Sequence, residues 1–294
     1  MNLKKPKRKI SYSAIKTWIE CPYRYKLSYR EKLSSFTANE YTIFGNVIHD
    51  ICEQIALENL TENFDKAFVE HYDKSLVLFL ASKFFIEFYN NKKLTEQKLN
   101  TYPATLKHFK DNLYKTFNKK LLSEMRLQGQ EISNLILPCL KEYFGDYEVL
   151  GCEDRIYTPL KQKGYVFTGF VDLILKTKKD NKIHIIDFKT TSWGWNLKKK
   201  TDPKITYQLT LYKNFLCNKY NWDKKDVETY FILLKRTAKE EKVELLRISS
   251  GNKKTSNALS LLSKVIKSDE LNLFPKNRDS CKFCSFYKTE YCRW

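Results

Sequence analysis

Two apolar stretches, each with a carboxylate inside it, constrain this chain more than any other feature. Residues 169–175 read GFVDLIL and residues 183–188 read IHIIDF. Hydrophobic side chains occupy both alternations, the pattern of strands covered on both faces of a sheet. A sheet interior keeps a carboxylate only when that group is paired or binds a metal. Asp172 and Asp187 therefore ask for a reason to be there.

Counting outward from the polar turns at residues 161–164 and 178–181 makes the point sharper. A tight turn centred between Lys179 and Asp180 puts Asp172 opposite Asp187. One centred between Gln162 and Lys163 puts Glu153 opposite Asp172. Three acids then align across adjacent strands, where like charges facing one another are destabilising. Lys189 is two residues past Asp187 and so projects from the same strand face. Oxygen donors in such a group suit a hard divalent cation such as Mg²⁺ or Mn²⁺. The structural alternative is a set of salt bridges at a strand end.

The rest of the chain reads as an α/β unit with a largely helical first half. Ser11 or Ser13 can cap a helix that ends at the Cys21-Pro22 break. Residues 44–60 carry an apolar stripe of Phe44, Val47, Ile48, Ile51 and Ile55. Residues 63–144 read as wholly helical, with breaks at Pro103 and Gly129. Strands follow at 147–157, 165–176 and 182–188, a helix at 204–219, strands at 229–234 and 243–248, and a helix at 255–266. No internal repeat is visible. The implied organisation is an N-terminal segment (1–43), a core helix (44–62), a helical insertion (63–144), a catalytic core (145–270) and a cysteine-rich tail (271–294).

The 294 residues suffice for one large domain or two small ones, and 42% hydrophobic residues mark a globular chain. Lys and Arg number 53 against 34 Asp and Glu, a formal charge of +19 that attracts polyanions, nucleic acid above all. A generally lysine-rich composition would give the same number. Basic Lys4, Lys5, Lys7, Arg8 and Lys9 are followed by no apolar leader, and no stretch is long enough to span a membrane. A cytoplasmic location is expected. There the eight cysteines would stay reduced, so that clustered thiols point to metal ligation before disulfides.

With these residues in view, the chain resembles the PD-(D/E)XK nuclease superfamily, and within it the RecB-like and AddB-like nucleases. GFVD and IIDFK, with Asp172, Asp187 and Lys189, resemble the family's core motif. SYSAIKTWIECPYRYK resembles the N-terminal segment of these relatives. FGNVIH matches a G-x-x-x-H motif, and YQLTLY a Q-x-x-x-Y motif. The resemblance covers both ends and roughly residues 145–215; residues 63–144 match no motif. It implies a restriction-endonuclease-like core, a mixed sheet flanked by helices, with a helical insertion and a cysteine cluster joining the N- and C-termini. It also implies that His49 is a further metal ligand, and that the Phe188 carbonyl or Glu153 assists. Without the motif, a lone histidine on an apolar helix is an ordinary core residue. Gln208 and Tyr212, spaced i,i+4, share a helix face and either position the reacting groups or pack on the sheet.

The tail carries Cys281, Cys284 and Cys292, and Cys21 is the candidate fourth ligand. Four thiolates suit a 4Fe–4S cluster or a structural Zn²⁺, and spacing alone leaves both open. The resemblance, which extends to the CRISPR-adaptation nucleases, implies iron–sulfur. Cys52, Cys139, Cys152 and Cys217 lie in apolar stretches as inert thiols. Between Lys189 and the Gln208 helix, Trp193 and Trp195 beside Lys198, Lys199 and Lys200 could stack bases and hold phosphates of a single strand, or dock into the core.

The expected function is therefore a metal-dependent DNA nuclease, an exonuclease on single-stranded ends serving DNA repair or recombination. The resemblance implies a prokaryotic or phage-encoded protein, with any helicase or adaptation machinery supplied by a partner. The rival is a DNA-binding partner subunit of such a complex that does no chemistry.

Overall fold

A computed structural model describes residues 8–33, 39–90 and 118–293; the side chains of residues 80–90 are not described. A six-stranded mixed sheet forms the centre. Its strands are β1 (Arg8–Ile10), β2 (Tyr147–Pro159), β3 (Tyr165–Thr177), β4 (Ile183–Thr191), β5 (Val227–Lys235) and β6 (Val243–Arg247). β2, β3 and β4 form the expected antiparallel meander, β5 returns parallel to β4, and β6 closes that edge antiparallel. β1 was not legible as a strand. Three residues with two charges carry no alternation signal, yet they pair in parallel with Tyr165–Phe167.

Helices cover both faces. α1 (Tyr12–Glu20) and α2 (Pro22–Tyr25) follow β1, and a π-helical turn (Lys26–Arg30) continues α2. Ser11 caps α1 by accepting from the Ala14 N–H at 3.2 Å. α3 (Glu40–Ala56) begins four residues before the expected start at 44. The signal is a capping box in which the Asn39 side chain accepts from Thr42 and Thr42 answers. α4 (Phe64–Asn90) and α5 (Lys119–Phe144) complete the first half. α6 (Leu197–Thr201), α7 (Pro203–Tyr220) and α8 (Asn252–Glu270) complete the second.

The stripe of α3 packs with Phe68, Tyr72, Met125 and Ile132 of α4 and α5 against one sheet face, contacting Leu173, Leu175, Ile186 and Phe188. The other face, with Phe167, Ile185, Phe231 and Leu233, is covered by α1, α7 and α8. Residues 63–144 were expected to form a helical insertion. Their described parts build the first of these cores, while 91–117, with the expected break at Pro103, lie outside the described residues. Gly129 does not break α5. A side chain there would meet the Phe68 ring at 1.9 Å, so glycine serves the close approach of α4. Among the described residues no helix is long and apolar enough to cross a membrane.

Candidate active site

The site lies where two strands part company. The β3–β4 ladder ends at Leu173–Ile186, whereas β4 remains paired with β5 as far as Thr191–Lys235. Beyond Ile186 the sheet forks, and Asp172 and Asp187 are the first residues past the last rung. The register matches the counted hairpins: Cys152–Leu173 and Asp154–Val171 bracket Glu153 and Asp172.

Regular alternation was assumed in that counting, and it fails at this point. Val171 belongs to the core under α1, α7 and α8, whereas Leu173 belongs to the opposite core. Across the ladder Glu153 takes φ +48°, a left-handed conformation rare for a non-glycine residue. Irregularities of this kind re-aim side chains beside active sites. Asp172 thus turns toward the fork, where its Oδ2 accepts the Phe188 N–H at 2.7 Å. His49, from α3 on the other side, places Nδ1 3.5 Å from the same oxygen.

Asp187 and Lys189 share the alternation of Ile183 and Ile185 and so face α7. Asp187 is 1% exposed. The Gln208 amide donates to its Oδ1 at 2.6 Å, and Tyr212 lies one helical turn on, its hydroxyl 3.4 Å from the same amide nitrogen. Tyr212 is buried over Gly169, where an added Cβ would stand 2.9 Å from its ring. Lys189 Nζ lies 2.5 Å from Asp187 Oδ2, and among the described residues no other donor reaches that buried oxygen.

The electrostatics are those of a site short of positive charge. Burial, then the charge of Asp187, raises the Asp172 pKa well above the usual carboxylate range, against the pull of Lys189 and the Phe188 N–H. Burial opposes the charged form of Lys189, but Asp187 and Asp172 outweigh it and raise the lysine. Burial lowers His49, leaving a neutral imidazole with a lone pair to offer. Glu153 is raised by burial and then by Glu53, Asp50 and Asp187. Asp50 and Glu53 were missed in the sequence. The available clue was that Glu53 follows His49 by four residues on one helix face.

The loop after β4 divides the five residues expected to hold DNA. Trp193 is 69% exposed, but Trp195 is only 8% exposed and docks edge-on against Phe231 at 5.4 Å. Trp195 is therefore a wall of the site, since core packing holds its ring where it cannot splay out to stack on a base. Lys200 is likewise taken, 2.5 Å from Glu244 and hence neutralised by it. Lys198 and Lys199 remain exposed.

Cys21, Cys281, Cys284 and Cys292 line one pocket, joining the end of α1 to the tail. The Asn277 N–H points at Cys21 Sγ over 3.4 Å, and the Asn277 and Ser280 side chains both donate to the Glu20 carbonyl. Among the described residues, no three His, Cys, Asp or Glu side chains are arranged so that they could hold a metal ion as they stand. The other four cysteines carry thiols raised by burial, as expected of inert groups.

A forked mixed sheet that brings two acids, a lysine and a glutamine to one point is the architecture of the restriction-endonuclease-like class. The chain belongs to the PD-(D/E)XK nuclease superfamily, whose sequence profile it matches over residues 9–293. Among solved structures it is similar to a candidate exonuclease from Eubacterium rectale. That likeness has a TM-score of 0.53 at 9% identity and covers 96% of this chain and 89% of the other. It also matches SSO0001 at 16% identity, over 72% of this chain and 94% of that one, with a TM-score of 0.34. At 9% identity the likeness to the first is one of fold alone. No curated protein sequence matches the chain.

Proposed function

We propose that the protein is a metal-dependent deoxyribonuclease acting on single-stranded DNA ends. The observation that carries this reading is Asp187 Oδ2, a buried carboxylate oxygen with no donor but the contact from Lys189, set beside a second acid and a neutral imidazole. Such a donor set fits Mg²⁺ or Mn²⁺, since a cation would supply the positive charge that Asp172 lacks. Asp172, Asp187 and His49 would hold the ion. Glu153 or the Phe188 carbonyl would assist, the latter because the N–H and C=O of one strand residue point to the same edge.

When bound, the ion acidifies water and stabilises charge on the phosphate. The protein's own groups do the rest. Lys189, kept protonated by two acids, steadies the attacking oxygen or a non-bridging phosphate oxygen. Gln208 occupies Asp187 Oδ1, so that Oδ2 carries only the contact from Lys189, and Tyr212 orients that amide. Water oxygen bonds to phosphorus, the bond to the 3′ oxygen breaks, and that oxygen leaves with a proton. The products are a 5′-phosphate and a 3′-hydroxyl.

The four tail and α1 thiols would hold a 4Fe–4S cluster, with Zn²⁺ as the alternative, closing a loop of nearly the whole chain. Iron and zinc content with visible absorption decides between them. A helicase or another recombination or adaptation protein would present the strand end.

The test incubates anaerobically purified protein with linear and circular single-stranded DNA in Mn²⁺, beside Lys189→Ala. Degradation of linear DNA alone, abolished in the variant, establishes an end-dependent nuclease. Cutting of circles makes it an endonuclease. DNA binding without cleavage under any divalent metal would favour a non-catalytic partner subunit.

A further inference from the structure

A groove of about 780 Å³ opens from Lys189 and Gln208 and runs between α1 and the α6–α7 segment to the cysteine turn Arg278–Phe283. Lys16 of α1 lines it on one side, with Lys199 and Lys204 on the other and Phe283 at the far end. Its acidic members are Glu20, which is held by Arg24 at 3.0 Å, and Asp279. The three lysines differ from Lys200: among the described residues none of them forms an ion pair. Lys16 and Lys199 both line the groove, Lys199 Nζ stands 4.8 Å over the Trp195 ring, and burial, then the charge of Lys16, lowers the Lys199 pKa. Phe283 is 82% exposed, on the turn that also carries Asp279. An apolar ring left in water beside a run of cations is the composition of a single-strand track, in which phosphates meet lysines and an unstacked base meets the ring.

We propose that this groove is the path of the substrate strand. Lys16 and Lys199 clamp one phosphate between them, Lys204 takes a neighbouring one, and Phe283 stacks on a base farther from the scissile bond. The proposal rests on the nuclease reading for the strand's direction toward Lys189, but not for its binding. It also gives the cysteine turn a second use, because that turn forms the far wall of the track.

Binding measured without metal separates the two ideas. Fluorescence anisotropy of a labelled 20-nucleotide oligothymidylate in EDTA is compared for the full-length wild type, Lys16→Ala/Lys199→Ala, Phe283→Ala, Phe283→Trp and Lys253→Ala. The last removes a lysine at the start of α8, outside the groove. The double variant should bind at least about tenfold more weakly, with the slope of log affinity against log salt reduced by about 0.7 for the one phosphate lost. Phe283→Ala should lose about fivefold or more, and Phe283→Trp should regain it. Lys253→Ala should match wild type. Wild-type affinity and slope in the double variant would overturn the track, even if cleavage in Mn²⁺ is normal. Equal competition by duplex of the same length would overturn its single-strand character. Intact, groove-dependent binding with no cleavage would instead sink the nuclease reading alone.

Discussion

Asp187 at the fork and Asp269 near the end of α8 are both buried carboxylates, and the fold surrounds them differently. Asp269 Oδ2 accepts from Tyr165 at 2.7 Å and Arg8 at 2.9 Å and touches Arg30 at 2.5 Å, while Tyr25 reaches Oδ1 at 3.4 Å. These donors come from β1, β3 and the helical turns after α1, so one acid ties together segments far apart in sequence. Asp187 has an amide on one oxygen and a single ammonium on the other, with a further acid next to it. A buried charge kept for stability is saturated with donors; one kept for chemistry retains capacity for something absent from the chain.

The largest effect that could break this comparison is on activity. Asp187→Asn should lower the cleavage rate by at least about 10²–10³-fold while leaving thermal stability unchanged or raised, because it removes an under-compensated charge. A large loss of stability would show that Asp187 is structural after all, as read by thermal melts beside initial rates.

Asp269→Ala should do the reverse. Leaving Arg8, Arg30 and two phenols without their acceptor should cost about 3–5 kcal/mol in urea unfolding, with the folded fraction still active. Unchanged stability would end the claim that this acid is a tie.

Divalent metal sharpens the contrast. Mn²⁺ at a hundred times its dissociation constant should stabilise the wild type by about 2.7 kcal/mol, and Asp269→Ala by the same increment. Asp187→Asn should gain much less, and a full gain there would place the ion elsewhere.

Asp269 contributes a pH dependence of its own. Burial raises its pKa, but Arg30, Tyr165 and Arg8 outweigh that and hold it below the usual carboxylate value. Its folded pKa is therefore depressed. The stabilisation is fully present above the unfolded value near 4 and fades as pH falls through the folded one. The stability gap between wild type and Asp269→Asn should close in that acid window, and a constant gap would contradict it. The smallest effect is Tyr165→Phe, which removes one donor of several and should cost about 1.5–3 kcal/mol.

Much of the site could be read in the chain because local rules govern it. The apolar alternation of residues 169–175 and 183–188 and two short turns are enough to set the register that brings Glu153, Asp172 and Asp187 to neighbouring positions. The two-residue step from Asp187 to Lys189 and the four-residue step from Gln208 to Tyr212 likewise fix shared faces, whatever the rest of the fold does. Helix ends were less legible: the Asn39 capping box went unread, and Gly129 looked like a break although it lies inside α5.

The sequence by itself thus determined β2 to β6, the register of β2, β3 and β4, the acid–acid–lysine set and, as a hypothesis, the pairing of distant cysteines. Only the tertiary structure decided that β3 reverses its faces at Asp172 and that Trp195 is core while Trp193 is surface. It also decided that Lys200 is spent on Glu244 while Lys16, from the other end of the chain, lines the same groove as Lys199. The physical reason is range. Alternation and turn geometry act over a few residues, whereas a side chain's partner and exposure depend on which remote segment arrives beside it, and no local pattern encodes that.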